Sequence, residues 1–117
     1  MNGINEKDGL DFQHFFKVLQ KEAHRNAVDK GFYEKEPTYG DHTAFIHREV
    51  SEAFESVRNG DPQYKNIPGF TGGEMGLADA AIYMMGVSEH LGYDLAGAIV
   101  AKLNYNPTRP YKHGKEF

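Results

Sequence analysis

Four stretches with helical periodicity, separated by links rich in glycine and proline, limit what this chain can fold into. Apolar residues recur at intervals of three and four in each stretch, and no segment alternates apolar and polar residues for long. The predicted helices span residues 11–32, 42–58, 74–91 and 95–105. Short links between such helices favour an all-α fold, and we expect a four-helix bundle.

Residue types that favour helix ends mark several of these boundaries. Gly31 and Gly92 are expected to end the first and third helices, because glycine adopts the left-handed conformation common there. Asp41 and Asp94 are expected to cap the N-termini of the second and fourth helices, and Pro107 to stop the fourth. We expect one domain over residues 1–117, with irregular tails at 1–10 and 110–117.

Composition excludes several classes of protein. With 117 residues the chain can form one core, and a net charge of −4 argues against a broad nucleic-acid-binding face. The absence of cysteine excludes a thiol nucleophile and a thiolate metal site. No apolar run approaches the length needed to cross a membrane, so we expect a cytoplasmic protein that binds neither membrane nor nucleic acid.

Three glutamates follow one another at three-residue spacing in the second predicted helix, at positions 49, 52 and 55. The apolar stripe expected to face the core contains Ile46, Val50, Ala53 and Val57. Glu55 falls almost opposite that stripe on a helical wheel and is expected to be solvated. Glu49 and Glu52 lie to one side of it, where they either belong to a solvated acidic face or point toward a neighbouring helix.

The third predicted helix favours a metal site that is shared with the second. Nearly every position from 77 through 87 is apolar or small, and Asp79 is the one charge there. A buried carboxylate is costly unless it is paired, and carboxylates of two helices can share a divalent cation such as Mg²⁺ or Mn²⁺. The alternative for Asp79 is a core salt bridge to Lys102 or an arginine. A helix this apolar also predicts cover by a second copy, in a homodimer or tetramer.

The fourth predicted helix carries groups that suit phosphate. Lys102, Asn106 and Arg109 recur at near-helical spacing, followed by Lys112. Such groups near an acidic metal site are typical of a site for a metal-bound phosphate chain. The alternative for Arg109 and Lys112 is a solvated basic helix end.

At this point two long segments resemble a known family. "FIHREVSEAFESVRNG" and "LADAAIYMMGVSEHLGYDLAGAIVAKLNYNPTRPYKHG" are similar to the MazG-like branch of the all-α nucleoside triphosphate pyrophosphohydrolases, and the resemblance covers residues 26–114. It implies Mg²⁺-dependent hydrolysis of (d)NTP to (d)NMP and pyrophosphate by a dimer or tetramer. Small relatives, some of them encoded by phages, adjust nucleotide pools, which would place this chain in the cytoplasm of a cell or of a phage host.

The resemblance also assigns roles to single residues. Glu49 and Glu52 match the family's ExxE pair, and Asp79 matches the aspartate of its ExxD pair. The glutamate of ExxD is replaced by Gly76, and the nearest carboxylate is that of Glu74. The site therefore either recruits Glu74 or has three carboxylates, and Glu52 is the candidate acceptor of a proton from the attacking water.

The remaining assignments concern the nucleotide. The phosphate-binding candidates are Lys102, Tyr105, Asn106 and Arg109. The base-binding candidates are His24, Asn26 and Phe32, with Lys30 and Tyr33 nearby. The alternative is that Phe32 and Tyr33 belong to the core and that His24 lies on the surface. The polar edges of His24 and Asn26 favour a purine, with guanine ahead of adenine.

Two other functions are compatible with the same residues. The replacement at Gly76 favours a nucleotide-binding or assembly module that kept the fold and lost the chemistry. A purely structural helical bundle is the third interpretation, and it predicts no response of the melting temperature to metal and nucleotide.

Overall fold

The computed structural model describes residues 3–116 and contains four α-helices. They are α1 (Glu6–Asp29), α2 (Tyr39–Arg58), α3 (Gly72–Leu91) and α4 (Leu95–Tyr105), followed by short 3₁₀ turns at Asn106–Thr108 and Tyr111–Gly114. Residues 3–116 form no strand, and one isolated bridge joins Gln63 to Thr71. The all-α prediction is confirmed. In the same range no helix is long and apolar enough to cross a membrane.

The first three helices start earlier than predicted, because their capping residues lie further upstream. Asn5 accepts a hydrogen bond from the backbone N–H of Asp8, so α1 begins at Glu6 and residues 6–10 are helical rather than irregular. Asp41 is not the N-cap of α2. Thr38 holds that position, and the Asp41 carboxylate accepts from the Thr38 backbone N–H at 2.9 Å in a reciprocal capping box.

The helix ends agree more closely with the prediction. Gly92 ends α3 in the left-handed conformation, with φ of 72°, and Asp94 caps α4 by accepting from the backbone N–H of Gly97. The C-cap of α1 is Lys30 rather than Gly31, and Gly31 follows it with a φ of 89°. Glycine is favoured at both positive-φ positions because it lacks a Cβ.

Helix α3 lies at the centre of the arrangement. It packs against α2 on one side and against α1 on the other, and α4 packs against α1. A Cβ at Gly76 of α3 would lie 2.6 Å from the Cβ of Ala53 and 2.9 Å from its backbone. The two helices therefore approach closely because neither position carries a large side chain, and this contact fixes how the rest of α2 faces α3.

Much apolar surface is left uncovered in the single chain. Its accessible surface is 8710 Å², whereas a compact monomer of 13.2 kDa exposes about 6,400 Å². The radius of gyration is 16.6 Å, compared with about 13 Å for a compact domain of 100 residues. In agreement with this large surface, the buried apolar residues are few and mostly small, namely Phe16, Ala53, Ala80, Val87 and Ala96.

Only part of the predicted apolar stripe of α2 lies in the core, where Ala53 is buried against α3. Val50 and Val57 were expected to be in the core, but they are 44% and 56% exposed and lie in a row with the exposed Phe54. Ala53 and His42 are the buried residues of α2. The close contact of Ala53 with Gly76 orients the helix, because small residues permit the nearest approach of two backbones, and it leaves the larger apolar residues outside.

Candidate functional site

A cavity of about 310 Å³ opens between α1, α2 and α3. It is lined by Ala23, Asn26, Ala27, Phe32, Tyr33, Phe45, Arg48, Glu49, Asp79, Ile82, Tyr83 and Gly86. A mostly apolar wall with a few convergent polar and charged groups is typical of a small-molecule site. Five residues that the sequence analysis named for the site lie in this wall: Asn26, Phe32, Tyr33, Glu49 and Asp79.

Glu49 is the most enclosed of the charged groups in the cavity. Its side chain is 14% exposed, whereas those of Glu52 and Glu55 are about 60% exposed, at 63% and 58%. The carboxylate of Glu49 accepts a hydrogen bond of 3.2 Å from Nη2 of Arg48. The helical wheel therefore predicted Glu49 and Glu55 correctly. It was wrong for Glu52, which is exposed like Glu55.

Asp79 of α3 lines the same cavity, but the residue as a whole is exposed, so it is not the buried carboxylate that the apolar sequence of this helix predicted. Partial burial raises the pKa of the Asp79 carboxyl above its ordinary value, and the negative charge of Glu49 raises it further. A salt bridge to Lys102 or an arginine would lower that pKa instead, so the direction does not fit the alternative interpretation of Asp79 as one half of a core ion pair. The negative charges of Glu49 and Asp79 therefore repel each other.

Aromatic rings form the part of the wall away from the carboxylates. The ring of Tyr83 lies 5.6 Å from that of Phe45, and Tyr33 and Phe32 come from the turn that follows α1. Burial raises the pKa of both tyrosines, so both hydroxyls are neutral at physiological pH. A flat heterocycle can stack on such rings, and the Asn26 amide adds a donor and an acceptor at the edge.

The other two predicted metal ligands are held differently. Glu52 points toward solvent, and its carboxylate is 4.0 Å from Nε of Arg48. Glu74 is the third residue of α3, where its carboxylate accepts from the Thr71 backbone N–H at 2.9 Å in a capping box. Neither residue is part of the cavity wall. Among residues 3–116, no three His, Cys, Asp or Glu side chains are gathered as potential metal ligands.

Position 76 has a structural explanation that the sequence did not reveal. Because a Cβ there would overlap Ala53 of α2, a glutamate at this position requires the two helices to separate. Gly76 is therefore a packing residue of the α2–α3 contact. The pair that remains for a cation in the cavity is Glu49 with Asp79, and their all-oxygen chemistry and mutual repulsion fit Mg²⁺ or Mn²⁺.

The predicted phosphate-binding residues lie outside the cavity wall in the single chain. Lys102 Nζ and Arg109 Cζ lie 5.1 and 5.7 Å from the ring centre of Tyr105, so the three side chains form one cluster at the end of α4. Asn106 begins the following 3₁₀ turn, and its Oδ1 is buried without a hydrogen-bond partner. Because α4 packs on α1, this cluster is held by contacts other than those that form the cavity.

His24 also lies outside the wall, although its neighbour on the same helix, Asn26, lies in it. Its Nε2 is 3.1 Å from Nδ1 of His90, and Nε2 of His90 is 2.7 Å from the Glu36 carboxylate. The ring of Tyr33 packs against both imidazoles. His24 thus supports the side of Tyr33 that faces away from the cavity, which places it one layer behind the predicted base-binding position.

Several residues of the cavity were not singled out from the sequence as site residues. Arg48, Phe45 and Tyr83 line it alongside the predicted ones. The signal for Arg48 and Phe45 was present, since both lie one helical turn or less from Glu49. Tyr83 lies one turn after Asp79 on α3, so the same i, i+4 spacing places it on the same face.

Comparison with protein-family models, with curated proteins and with solved structures finds no match for this chain.

Proposed function

We propose that this protein hydrolyses nucleoside triphosphates to the monophosphate and pyrophosphate with Mg²⁺, for which Mn²⁺ can substitute. The observation that carries the proposal is the joint presence of Glu49 and Asp79 with Asn26 and the aromatic rings in one cavity. The first pair suits a metal-bound phosphate chain, and the second group suits a base. The resemblance to MazG-like pyrophosphohydrolases supports the same reaction.

In this proposal the two coupled carboxylates hold the metal ion. Mg²⁺ bound there would neutralise phosphate charge and lower the pKa of a bound water. The raised pKa of Asp79 supports this role, because the cost of keeping both carboxylates ionised is relieved when a cation is bound. Glu52 remains the candidate proton acceptor, since it lies one turn from Glu49 on α2 and its side chain is 63% exposed.

The base would enter between the aromatic rings. Phe32 and Tyr33 provide surfaces for stacking, and the amide of Asn26 can pair with a carbonyl and an amino group on one edge of the base. We propose a preference for purines, with guanine ahead of adenine. His24 contributes to this preference only by supporting Tyr33, so the proposed preference for purines rests on Asn26 alone.

A second copy is part of the proposal. The exposed row of Val50, Phe54 and Val57 on α2, together with the large excess of accessible surface, supports a homodimer or tetramer. Association offers a way to bring the Lys102 and Arg109 cluster of a neighbouring copy toward a cavity that its own α4 does not reach. Light scattering at micromolar concentration tests this part, and a mass of one chain would contradict it.

The test of the activity is a panel of the eight common NTPs and dNTPs, each incubated with the protein and Mg²⁺. We expect pyrophosphate and a nucleoside monophosphate in equal amounts, and none of either in EDTA. Release of single phosphate, or no turnover by folded protein, would contradict the proposal. A higher kcat/KM for dCTP, dTTP or dUTP than for the purine nucleotides would reject the purine preference alone.

The second candidate is a nucleotide-binding module without hydrolytic activity. The Gly76 contact favours it, because the site then has one carboxylate fewer than the family pattern provides. Calorimetry with an α,β-methylene triphosphate analogue and Mg²⁺ separates the two candidates. Binding of the analogue without pyrophosphate release from any natural nucleotide would establish the module and exclude the enzyme.

A further inference from the structure

We infer that Arg48 is the phosphate-binding cation of the cavity and that it exchanges partners, from carboxylates in the empty site to phosphate oxygens in the filled one. This rests on the proposed function, because it assumes that a metal-bound triphosphate enters the cavity. It differs from the assignments made by resemblance, which place all phosphate contacts on or after α4.

The contacts of Arg48 place it between the two carboxylates of its own helix. Nη2 lies 3.2 Å from the Glu49 carboxylate, and Nε lies 4.0 Å from that of Glu52. The guanidinium carbon is 5.0 Å from the ring centre of Phe45, one turn earlier on α2. The guanidinium therefore has an aromatic surface and two acidic partners, all supplied by a single helix.

These contacts hold Arg48 loosely. Its side chain is 56% exposed, and exposed ion pairs contribute little free energy because water and salt screen them. The interaction with the face of Phe45 leaves the N–H groups in the plane of the guanidinium available. A planar fork of donors matches the spacing of phosphate oxygens, so Arg48 can leave the carboxylates for a stronger partner at low cost.

The charge of the cavity also favours a cationic side chain as a partner of phosphate. Among the residues that line it in the described part of the chain, Arg48 carries the only full positive charge, against Glu49 and Asp79. A triphosphate brings several negative charges to a site that is already acidic. Metal ions offset part of that charge, and an adjacent guanidinium offsets more of it.

Arg48 and a metal ion would share Glu49, so removing Arg48 should change the affinities for Mg²⁺ and for the triphosphate in opposite directions. Removing the guanidinium takes away a competing cation, so Mg²⁺ alone should bind more tightly. The same change removes charge-assisted hydrogen bonds to phosphate, so the triphosphate should bind more weakly. A residue that only stabilises α2 would change both affinities in the same direction.

The experiment measures two affinities by calorimetry in Arg48→Ala, Arg48→Lys and the wild type. The first titrant is Mg²⁺ alone, and the second is the α,β-methylene analogue of whichever dNTP the wild type binds most tightly, in excess Mg²⁺. Arg58→Ala is the matched control, since Arg58 lies on α2, is 63% exposed and pairs with Glu55 outside the cavity. The helical circular dichroism signal checks that each variant is folded.

We expect Arg48→Ala to tighten Mg²⁺ and to weaken the analogue by roughly tenfold to hundredfold, the range for a hydrogen bond to a charged group. Arg48→Lys should fall between, because it keeps the charge and loses the fork, and Arg58→Ala should match the wild type. An analogue affinity that Arg48→Ala leaves unchanged would overturn the inference alone. A wild type that binds neither titrant would overturn the proposed function, and the inference with it.

Discussion

The cavity between α1, α2 and α3 and the cluster at the end of α4 both contain groups that suit a metal-bound triphosphate, but they are built differently. In the cavity, Glu49 is 14% exposed and is electrostatically coupled to Asp79 of a neighbouring helix. At the end of α4, Lys102 and Arg109 approach the ring of Tyr105, a local neighbour in sequence. The first region depends on helix packing, and the second depends on local contacts.

The cavity is formed by one chain, whereas the α4 cluster could reach a cavity only in an assembly of copies. The cavity brings carboxylates, an amide, aromatic rings and Arg48 together without help from another chain. The α4 cluster lies outside the cavity and packs through α1. We therefore expect changes in the cavity to have the largest effects on activity, and changes at α4 to have effects that depend on association.

The largest effect should come from the coupled carboxylates. Glu49→Gln and Asp79→Asn should each lower kcat by about 10²–10³-fold, the scale for losing electrostatic stabilisation of developing charge, because each variant weakens the hold on the metal ion. Pyrophosphate release measures the effect. Glu55→Gln is the control, because Glu55 is exposed and pairs with Arg58. Equal losses in all three variants would show that Glu49 and Asp79 contribute no more to activity than an exposed carboxylate does.

The next effect concerns the packing that holds the cavity together. Gly76→Ala should lower the free energy of unfolding by about 1–3 kcal/mol, because its Cβ would overlap Ala53 of α2. Gly76→Glu should be worse, although it restores the family pattern in sequence. Denaturant unfolding measures both.

The matched control for that prediction is Gly40→Ala near the start of α2. A Cβ there meets only the Thr38 hydroxyl, at 3.6 Å. The change should leave stability the same or raise it slightly, because alanine has less freedom than glycine in the unfolded chain. A Gly76→Glu protein that is as stable as the wild type and more active would show that α2 and α3 can separate.

A smaller effect should appear in stability without metal. The folded state raises the pKa of Asp79, so its contribution to stability is fully present below the ordinary carboxyl value of 3.8 and is lost as pH rises through the raised value. Asp79→Asn should therefore be more stable than the wild type at neutral pH, by less than about 1 kcal/mol because solvent screens the pair.

Unfolding of both proteins in EDTA, at acidic and neutral pH, measures that difference. The gain from Asp79→Asn should grow from the acidic to the neutral condition. Added Mg²⁺ should stabilise the wild type more than the variant, because a ligand stabilises the state that binds it. A variant that is less stable than the wild type at neutral pH would show that Asp79 has a favourable partner in solution.

The smallest effect is expected from Lys102→Ala in the dissociated chain. Because Lys102 lies outside the cavity, the variant should bind the methylene analogue as the wild type does when both are dilute enough to be monomeric. At concentrations where copies associate, a selective loss in the variant would show that α4 of a neighbour completes the site. Equal binding under both conditions would confine phosphate recognition to the cavity and to Arg48.

Residues whose role depends on local sequence were predicted well. The all-α fold, the end of α3 at Gly92 and the capping of α4 by Asp94 follow from propensities and hydrogen bonds within a few residues. The period of the helix placed Glu55 outward correctly and Glu49 beside the apolar stripe, but it placed Glu52 with Glu49, whereas Glu52 is 63% exposed. The cap of α2 was placed three residues late, because Asp41 closes a capping box whose first member is Thr38.

Residues whose role depends on two helices meeting were harder to predict. The helical wheel of α2 placed Val50 and Val57 in the core, whereas both are exposed. A wheel shows which residues share a face, but it does not show which face a neighbour selects. Glu74 was misassigned for a different reason, because its carboxylate closes a capping box with Thr71, a local pattern that the sequence contains.

The sequence by itself determined four helices, their approximate limits, and a pair of carboxylates on α2 and α3 that cannot pair with each other. The tertiary structure alone decided that Gly76 meets Ala53, since that contact depends on the distance between two backbones and not on the preference of either segment. It also decided that Arg48 and Tyr83 share a cavity with the predicted residues Asn26, Glu49 and Asp79. Those residues come from three helices, and only the packing of α1 and α2 on α3 brings them together.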